Sequence, residues 1–328
     1  MIGIGILGAG GIAERAMVEP ARGADGIEVV AIGARDPERA RTFAERLDVP
    51  AWGDYDAVLS DPRIDLIYLA LPPIVHAEWA ARALAAGKHV LCEKPLSANG
   101  TTAAAIADAA DAAGLRAFVG FHFRLHGFIR DLLETIASGI LGEVRLVEID
   151  FSIPHFVVQP GNIRLDGDLA GGAVMDVGCY AVDLLRAAFG EPQVVSAVAQ
   201  PYDADPRIDL QTDAELRLPG RIPALLRASF LGDDTGAMWV RVDGSEASLL
   251  ATSVIVPQWG ATLTVTATEG TVLRQSSADP AENSYARQLE HLAVVLGDGS
   301  ESLLDARRGV GTMRVVDAIY RAAGLEPR

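Results

Sequence analysis

Cysteine is nearly absent. The chain has two in 328 residues, Cys92 and Cys179, too few for a disulfide framework and expected to be reduced thiols in a reducing compartment. No paired-cysteine or His-Glu-x-x-His spacing occurs and the six histidines are scattered, so no metal is expected, structural or catalytic. Positive charge is short as well: 28 Lys and Arg stand against 44 Asp and Glu, a net charge of −16. An acidic surface repels phosphate backbones, which argues against a nucleic-acid partner. The one dense basic run, Arg35 to Arg46, alternates with acids. Apolar runs fall well below the roughly 20 residues that a membrane-spanning helix requires, which argues against a membrane role. The apolar start, Ile2 to Leu7, has no basic leader and runs straight into glycines. It is expected to be the first strand of a cytoplasmic protein rather than a signal peptide.

What is present is apolar material in abundance, 50% of residues, enough for two cores at this length. Up to about residue 120, short apolar runs alternate with alanine-rich segments of helical spacing. Strands are expected at Ile2–Leu7, Val29–Ala34, Leu66–Leu71, His89–Cys92 and Ala117–Phe121. Helices are expected at Ile12–Gly23, Pro37–Leu47, His76–Ala86 and Thr101–Ala113, with Gly87 and Gly114 at C-cap positions. This alternation predicts a doubly wound α/β domain, a parallel sheet covered on both faces, over residues 1–122. Beyond it the grammar changes. A helix near Phe128–Ser138, a strand at Val144–Ile153 and a glycine-rich helix near Gly171–Phe189 are followed by seven strand-like runs between 194 and 274. Pro, Gly and Asp turns at short intervals favour antiparallel pairing. Two helices, near Glu282–Leu296 and Leu304–Ala323, close the chain. Residues 123–328 are therefore expected to form an α+β domain with a large, mostly antiparallel sheet.

Gly8-Ala-Gly10-Gly-Ile-Ala13 follows the first strand and opens a helix, the context a dinucleotide-binding fingerprint requires. Gly8 permits the turn, Gly10 lets backbone approach a pyrophosphate, and Ala13 is small enough for helix-on-strand packing. Gly11 and Ile12 place N–H groups at the helix start, facing the anion. The end of the second strand selects the nucleotide. Arg35 and Arg39 suit the 2′-phosphate of NADP, whereas Asp36, the expected N-cap, would suit the ribose of NAD. NADP is favoured here, with NAD as the alternative.

Gly87-Lys-His-Val-Leu-Cys-Glu-Lys-Pro95, with its Glu-Lys-Pro triplet at a strand end, resembles the glucose–fructose oxidoreductase/inositol dehydrogenase (Gfo/Idh/MocA) family. Ala70-Leu-Pro-Pro-Ile-Val-His76 is similar to the family's fourth-strand motif, and Ala170 to Tyr180 is similar to its second-domain motif. With the glycine loop, these in order extend the resemblance over the whole chain. It implies an NAD(P)-dependent dehydrogenase or reductase that moves hydride between nicotinamide and a carbinol or carbonyl carbon of a sugar, polyol or cyclic diol. Lys94 would be the central catalytic residue, Glu93 would bind the nicotinamide ribose, and a cis peptide would precede Pro95. Leu71, Pro72 and His76 would line the cofactor. Asp176 and Tyr180, four residues apart, share a helix face and would serve substrate and proton transfer. Many members have His where this chain has Tyr180, and the Tyr version resembles the dihydrodiol and xylose dehydrogenase branch. The resemblance also implies a homodimer or dimer of dimers.

Arg124, His122 and Arg164 are further candidates for substrate contact, and His155 could line a pocket. His89, His291 and the two cysteines are expected to be packing or surface residues. Two other readings remain. A non-catalytic NADP-binding sensor or corepressor predicts loss of the catalytic lysine or acid, yet Lys94, Asp176 and Tyr180 are all present. A relative that cleaves glycosides with tightly held NAD usually carries His in place of Tyr180.

Overall fold

The computed structural model describes every residue from Met1 to Arg328. The chain forms two compact units. One comprises residues 1–125 and 283–310; the other comprises 126–282 and 311–328.

The first unit is built on six parallel strands: β1 (Ile2–Leu7), β2 (Ile27–Gly33), β3 (Ala51–Gly53), β4 (Leu66–Leu69), β5 (His89–Cys92) and β6 (Ala117–Val119). Their order is β3-β2-β1-β4-β5-β6, so strand order reverses between β1 and β4. Open α/β sheets bind ligands at such a switch point, beyond the carboxyl ends of the strands. The strands lack alternation because both sheet faces are covered; all four residues of β4 are buried. β3 has no counterpart among the five expected strands. It is three residues long and exposes Trp52, so no apolar run marks it.

The helices start where side chains supply the missing acceptors. Asp36 caps Pro37–Arg46, accepting from the Glu38 N–H at 3.1 Å. Asn99 and Thr102 form a reciprocal capping box for Gly100–Ala113, which Gly114 ends with φ +64°. Residues 11–21 are continuously helical but carry a π turn at Glu14–Val18. Helix Ser284–Asp298 belongs to this unit, and the Val119 N–H donates to the Leu304 carbonyl at 2.8 Å. A division into two consecutive stretches at residue 122 therefore misses the return of 283–310.

The second unit holds β7 (Val144–Pro154), β8 (Gln193–Tyr202), β9 (Asp205–Leu218), β10 (Ile222–Gly232), β11 (Ala237–Gly244), β12 (Ala247–Ala251), β13 (Thr262–Ala267) and β14 (Val272–Ser277). The order is β14-β13-β12-β11-β7-β10-β9-β8. Only β7 and β10 pair in parallel; every other pair is antiparallel. Ala224, Leu226 and Ala228 of β10 are buried while Leu225 and Arg227 are exposed, the alternation of a sheet packed on one face. Residues 174–189 form the glycine-rich helix, a π turn at Val174–Gly178 running into Cys179–Phe189. A Cβ on Gly178 would lie 3.1 Å from that of Ala228, so this helix sits close against β10. No helix in the chain is long and apolar enough to cross a membrane.

A buried polar lock fixes the start of that helix. Asp209, fully buried on β9, accepts from the Val174 N–H at 2.9 Å, Thr212 Oγ1 at 3.0 Å, Tyr320 Oη at 2.8 Å and Arg328 Nη2 at 3.2 Å. Gly172, at φ +124°, admits this carboxylate: a Cβ there would lie 2.2 Å from Asp209 Oδ1. Burial pushes the Asp209 carboxyl above the usual range despite the four donors. Arg328→Ala removes a charged donor that is itself only 5% exposed. A hydrogen bond to a charged group contributes about 2 kcal/mol, which corresponds to a fall of roughly 4–8 °C in the thermal midpoint for a unit of this size. Calorimetry that finds the midpoint unchanged would remove Arg328 from the lock.

Candidate active site

In the first unit, the turn after β1 is shaped as the glycine pattern predicts. Gly8 has φ +117°, and a Cβ there would meet the Ala70 carbonyl oxygen at 2.3 Å, so only glycine fits. Around Gly10 and Gly11 no atom lies within 4 Å of where a Cβ would stand. That leaves open backbone at a helix N-terminus, the cradle a pyrophosphate needs. Ala13 is fully buried behind it, and Ile12 is half-buried.

Two arginines stand beside this loop. Arg39 reaches back from helix 37–46 and donates to the Ala9 carbonyl through Nε (3.3 Å) and Nη2 (2.9 Å). Arg35 is exposed at the end of β2, near the Tyr55 phenol. Burial pushes that phenol up, against the pull of both guanidiniums. The Tyr55 ring lies 3.2 Å from where a Gly33 Cβ would be and meets Trp79 edge-on at 4.6 Å.

The carboxyl end of β5 carries Glu93 and Lys94. Glu93 is 7% exposed and accepts from Tyr68 Oη at 2.5 Å and from the Lys94 N–H at 3.2 Å. Burial raises its carboxyl, with Tyr68, Lys94 and Arg15 opposing. The Lys94–Pro95 peptide is cis, as the resemblance implies. Leu71 and Pro72 are half-buried after β4. His76, expected against the cofactor, is fully buried and spans two loop carbonyls. Its Nε2 is 2.8 Å from the Leu71 oxygen and its Nδ1 is 3.2 Å from the Leu96 oxygen. Burial lowers its pKa, while the carbonyls around it favour the charged ring; the imidazole lies between the loop after β4 and the loop after Lys94. Arg124 lies half-buried in a 3-10 turn after β6. His122, offered as a substrate contact, is 1% exposed and belongs to the packed interior.

In the second unit, Asp176 sits on the π turn and Tyr180 follows in the α-helix. Arg164, from a short 3-10 turn, donates through Nε to Asp176 Oδ2 at 2.6 Å. Asp176 is thus an ion-pair partner. Two bonds fix the arginine's backbone against the helix start: Gly172 N–H to the Arg164 carbonyl at 2.9 Å, and Asp176 N–H to the Gly172 carbonyl at 3.0 Å. Asp176 holds the guanidinium ionised, and the nearby Tyr180 phenol adds to the effect. Tyr180 is 5% exposed. His155 stands apart from this group, exposed, with Nδ1 3.4 Å from the Gly232 carbonyl. Cys92 and Cys179 are buried and form no disulfide. Burial pushes the Cys92 thiol up, away from reactivity.

Sequence reasoning missed Tyr68, Asp209, Tyr320 and Arg328. Tyr68 passed as one more apolar residue of its strand, and the other three carry no motif. The one available signal was a tyrosine on the strand that neighbours the Glu93 strand.

A glycine cradle after β1, with an acid and a lysine at the carboxyl end of β5, gives the first unit the form of a dinucleotide-binding domain. The GFO/IDH/MocA oxidoreductase family, with its NAD-binding Rossmann fold, matches residues 2–121, and the family's C-terminal domain matches residues 129–273. The chain is 37% identical to D-xylose 1-dehydrogenase (NADP(+)) 2 of Haloferax volcanii, over 97% of this chain and 96% of the relative. Among solved structures it resembles an aldose-aldose oxidoreductase from Caulobacter crescentus complexed with glycerol, at TM-score 0.88 and 27% identity over 98% and 97% of the two chains. It likewise resembles a 3-ketoreductase from Actinomadura kijaniata in complex with NADP and TDP-benzene, at TM-score 0.89 and 27% identity, with coverage of 98% and 97%. The chain belongs to the GFO/IDH/MocA oxidoreductase family.

Proposed function

We propose that the chain is an NADP-dependent dehydrogenase or reductase that interconverts a carbinol and its carbonyl in a sugar, polyol or cyclic diol. The observation that carries the cofactor choice is at the end of β2. Asp36, the residue an NAD site would turn toward ribose, has its carboxylate committed to capping helix 37–46, while Arg39 is pinned over the glycine loop and Arg35 is exposed beside it. A guanidinium fits a 2′-phosphate through paired hydrogen bonds. Supporting the substrate class, the relatives above are named for D-xylose, for aldoses and for a keto group.

When bound, the nicotinamide supplies the hydride acceptor or donor. The protein's own residues do the rest. Glu93 binds the nicotinamide ribose, and the Lys94 ammonium stabilises charge on the reacting oxygen. Tyr180 takes the carbinol proton in oxidation and returns it in reduction. Arg164 holds Asp176 in place, and Asp176 orients a substrate hydroxyl.

Two finer assignments belong to the same reading. The compartment is the cytoplasm, in keeping with two buried thiols that form no disulfide. The chain forms a homodimer or dimer of dimers through the outer face of the eight-stranded sheet. One cross-strand row of that face reads Glu215, Leu225, Glu148, Arg241, Leu250, Thr264 and Gln275. It presents Leu225 and Leu250, 42% and 46% exposed, among charges, a mixture suited to an interface.

The test is nucleotide titration of the purified protein, followed by the fluorescence of bound NADPH and NADH, with Arg35→Ala alongside. Loss of one charged hydrogen bond to phosphate weakens NADPH about 10–100-fold and leaves NADH unchanged. Equal affinity for the two nucleotides in the wild type would overturn the NADP assignment, and binding of neither would remove the enzyme reading.

A further inference from the structure

We infer that Asp209 and Arg328 are positioning residues for the Arg164–Asp176 pair, acting through the glycine turn that lies between its two members. The inference rests on the substrate role proposed for Asp176. All the residues concerned belong to the second unit.

The connection runs through backbone. Gly172 holds both members of the pair: its N–H donates to the Arg164 carbonyl at 2.9 Å, and its carbonyl accepts from the Asp176 N–H at 3.0 Å. The buried lock grips this turn on either side. Arg328 Nε donates to the Gly171 carbonyl at 3.1 Å, and the Val174 N–H donates to Asp209 Oδ2 at 2.9 Å. Arg328 Nη2 donates in turn to Asp209 Oδ1 at 3.2 Å, which closes a ring of contacts around residues 171–174. The ring has little slack. A Cβ on Gly171 would lie 2.4 Å from the Arg164 carbonyl oxygen, and one on Gly172 would lie 2.8 Å from Tyr320 Oη. A shift of the Asp209 carboxylate or the Arg328 guanidinium therefore moves both backbone anchors of the pair together.

The lock is itself well fixed. Asp209 and Tyr320 are fully buried and the Arg328 side chain is 5% exposed. Tyr320 donates its hydroxyl to Asp209 at 2.8 Å, and its ring lies against the Arg328 guanidinium, 4.3 Å from centroid to Cζ. A buried charge that loses its partner must find another, so removing the guanidinium displaces the carboxylate as well as deleting a bond. The Arg164–Asp176 contact, at 2.6 Å, is a charge-assisted bond that depends on direction as well as distance. Asp176 must in addition present an oxygen to a substrate hydroxyl, and a small misplacement of a binding group has large kinetic consequences.

The experiment measures steady-state kinetics with saturating nucleotide and whichever sugar or diol turns over best, at a temperature well below the thermal midpoint. The full chain carries Arg328→Ala, Asp176→Asn, or both, and NADPH is titrated in parallel. Arg328→Ala is expected to raise KM about tenfold, with a smaller fall in kcat and unchanged NADPH affinity. The double variant should have a KM no higher than that of Asp176→Asn, because coupled residues are non-additive. Tyr320→Phe keeps the ring, should give the same split at smaller amplitude, and decides the matter if Arg328→Ala fails to fold. A lock that only stabilises the fold would lower the active fraction, and with it the apparent kcat, while leaving KM as in the wild type. That result, or additive effects on KM, overturns the inference. Wild-type KM in Asp176→Asn is a different failure: it removes the substrate role, and the inference with it.

Discussion

Lys94→Ala is expected to lower kcat/KM for whichever sugar or diol turns over best by about 10³-fold, with the thermal midpoint essentially unchanged. Lys94 is half-buried and flanked by buried neighbours. Its backbone N–H is fixed by Glu93 Oε2 at 3.2 Å, and it follows the carboxyl end of a central strand, where this fold class concentrates its chemistry. A positive charge aimed at a developing alkoxide acts chiefly in the transition state, so the loss should appear in kcat rather than in nucleotide affinity. NADPH titration of the same variant separates the two. A variant that keeps kcat but binds nucleotide poorly would make Lys94 a cofactor ligand only, and unaltered kinetics would remove it from the site.

Much of the first unit is legible in the sequence because its signals are local. Gly8 and Ala13 sit where a turn and a helix packing surface demand small residues, and Glu93–Lys94 ends an apolar strand, so position and chemistry coincide in a short window. β3 is not legible: Ala51–Gly53 draws its pairing from neighbours rather than from its own pattern. The eight strands of the second unit are marked as strand-like runs between turns, but their order is not. The parallel pairing of β7 with β10 brings together residues that lie far apart in sequence. The return of 283–310 to the first unit is invisible for the same reason. His76 shows the converse: this motif residue has a buried ring that bonds backbone carbonyls, so a motif fixes the place of a residue without fixing what it touches. Nothing in the sequence pairs Asp176 with Arg164; only the folded loop brings that arginine, twelve positions earlier, to 2.6 Å from the carboxylate.

Tyr180→Phe carries the second large effect. General acid–base catalysis by one positioned group is worth about 10²–10⁴-fold, and phenylalanine removes the hydroxyl while keeping the ring that fills a site 5% exposed. The variant should therefore fold and bind NADPH as the wild type does, and lose kcat in both directions, because the same proton is taken in oxidation and returned in reduction. Asp176→Asn supplies the contrast. It keeps the shape of the side chain but withdraws the charge that holds Arg164, so binding of a hydroxyl-bearing substrate should weaken and KM should rise by more than kcat falls. If Tyr180→Phe retains full turnover while Asp176→Asn loses it, the proton relay passes to the aspartate and Tyr180 becomes a packing residue. If both are silent and Lys94→Ala is not, substrate protons exchange directly with water, and the Arg164–Asp176 pair has a structural role alone.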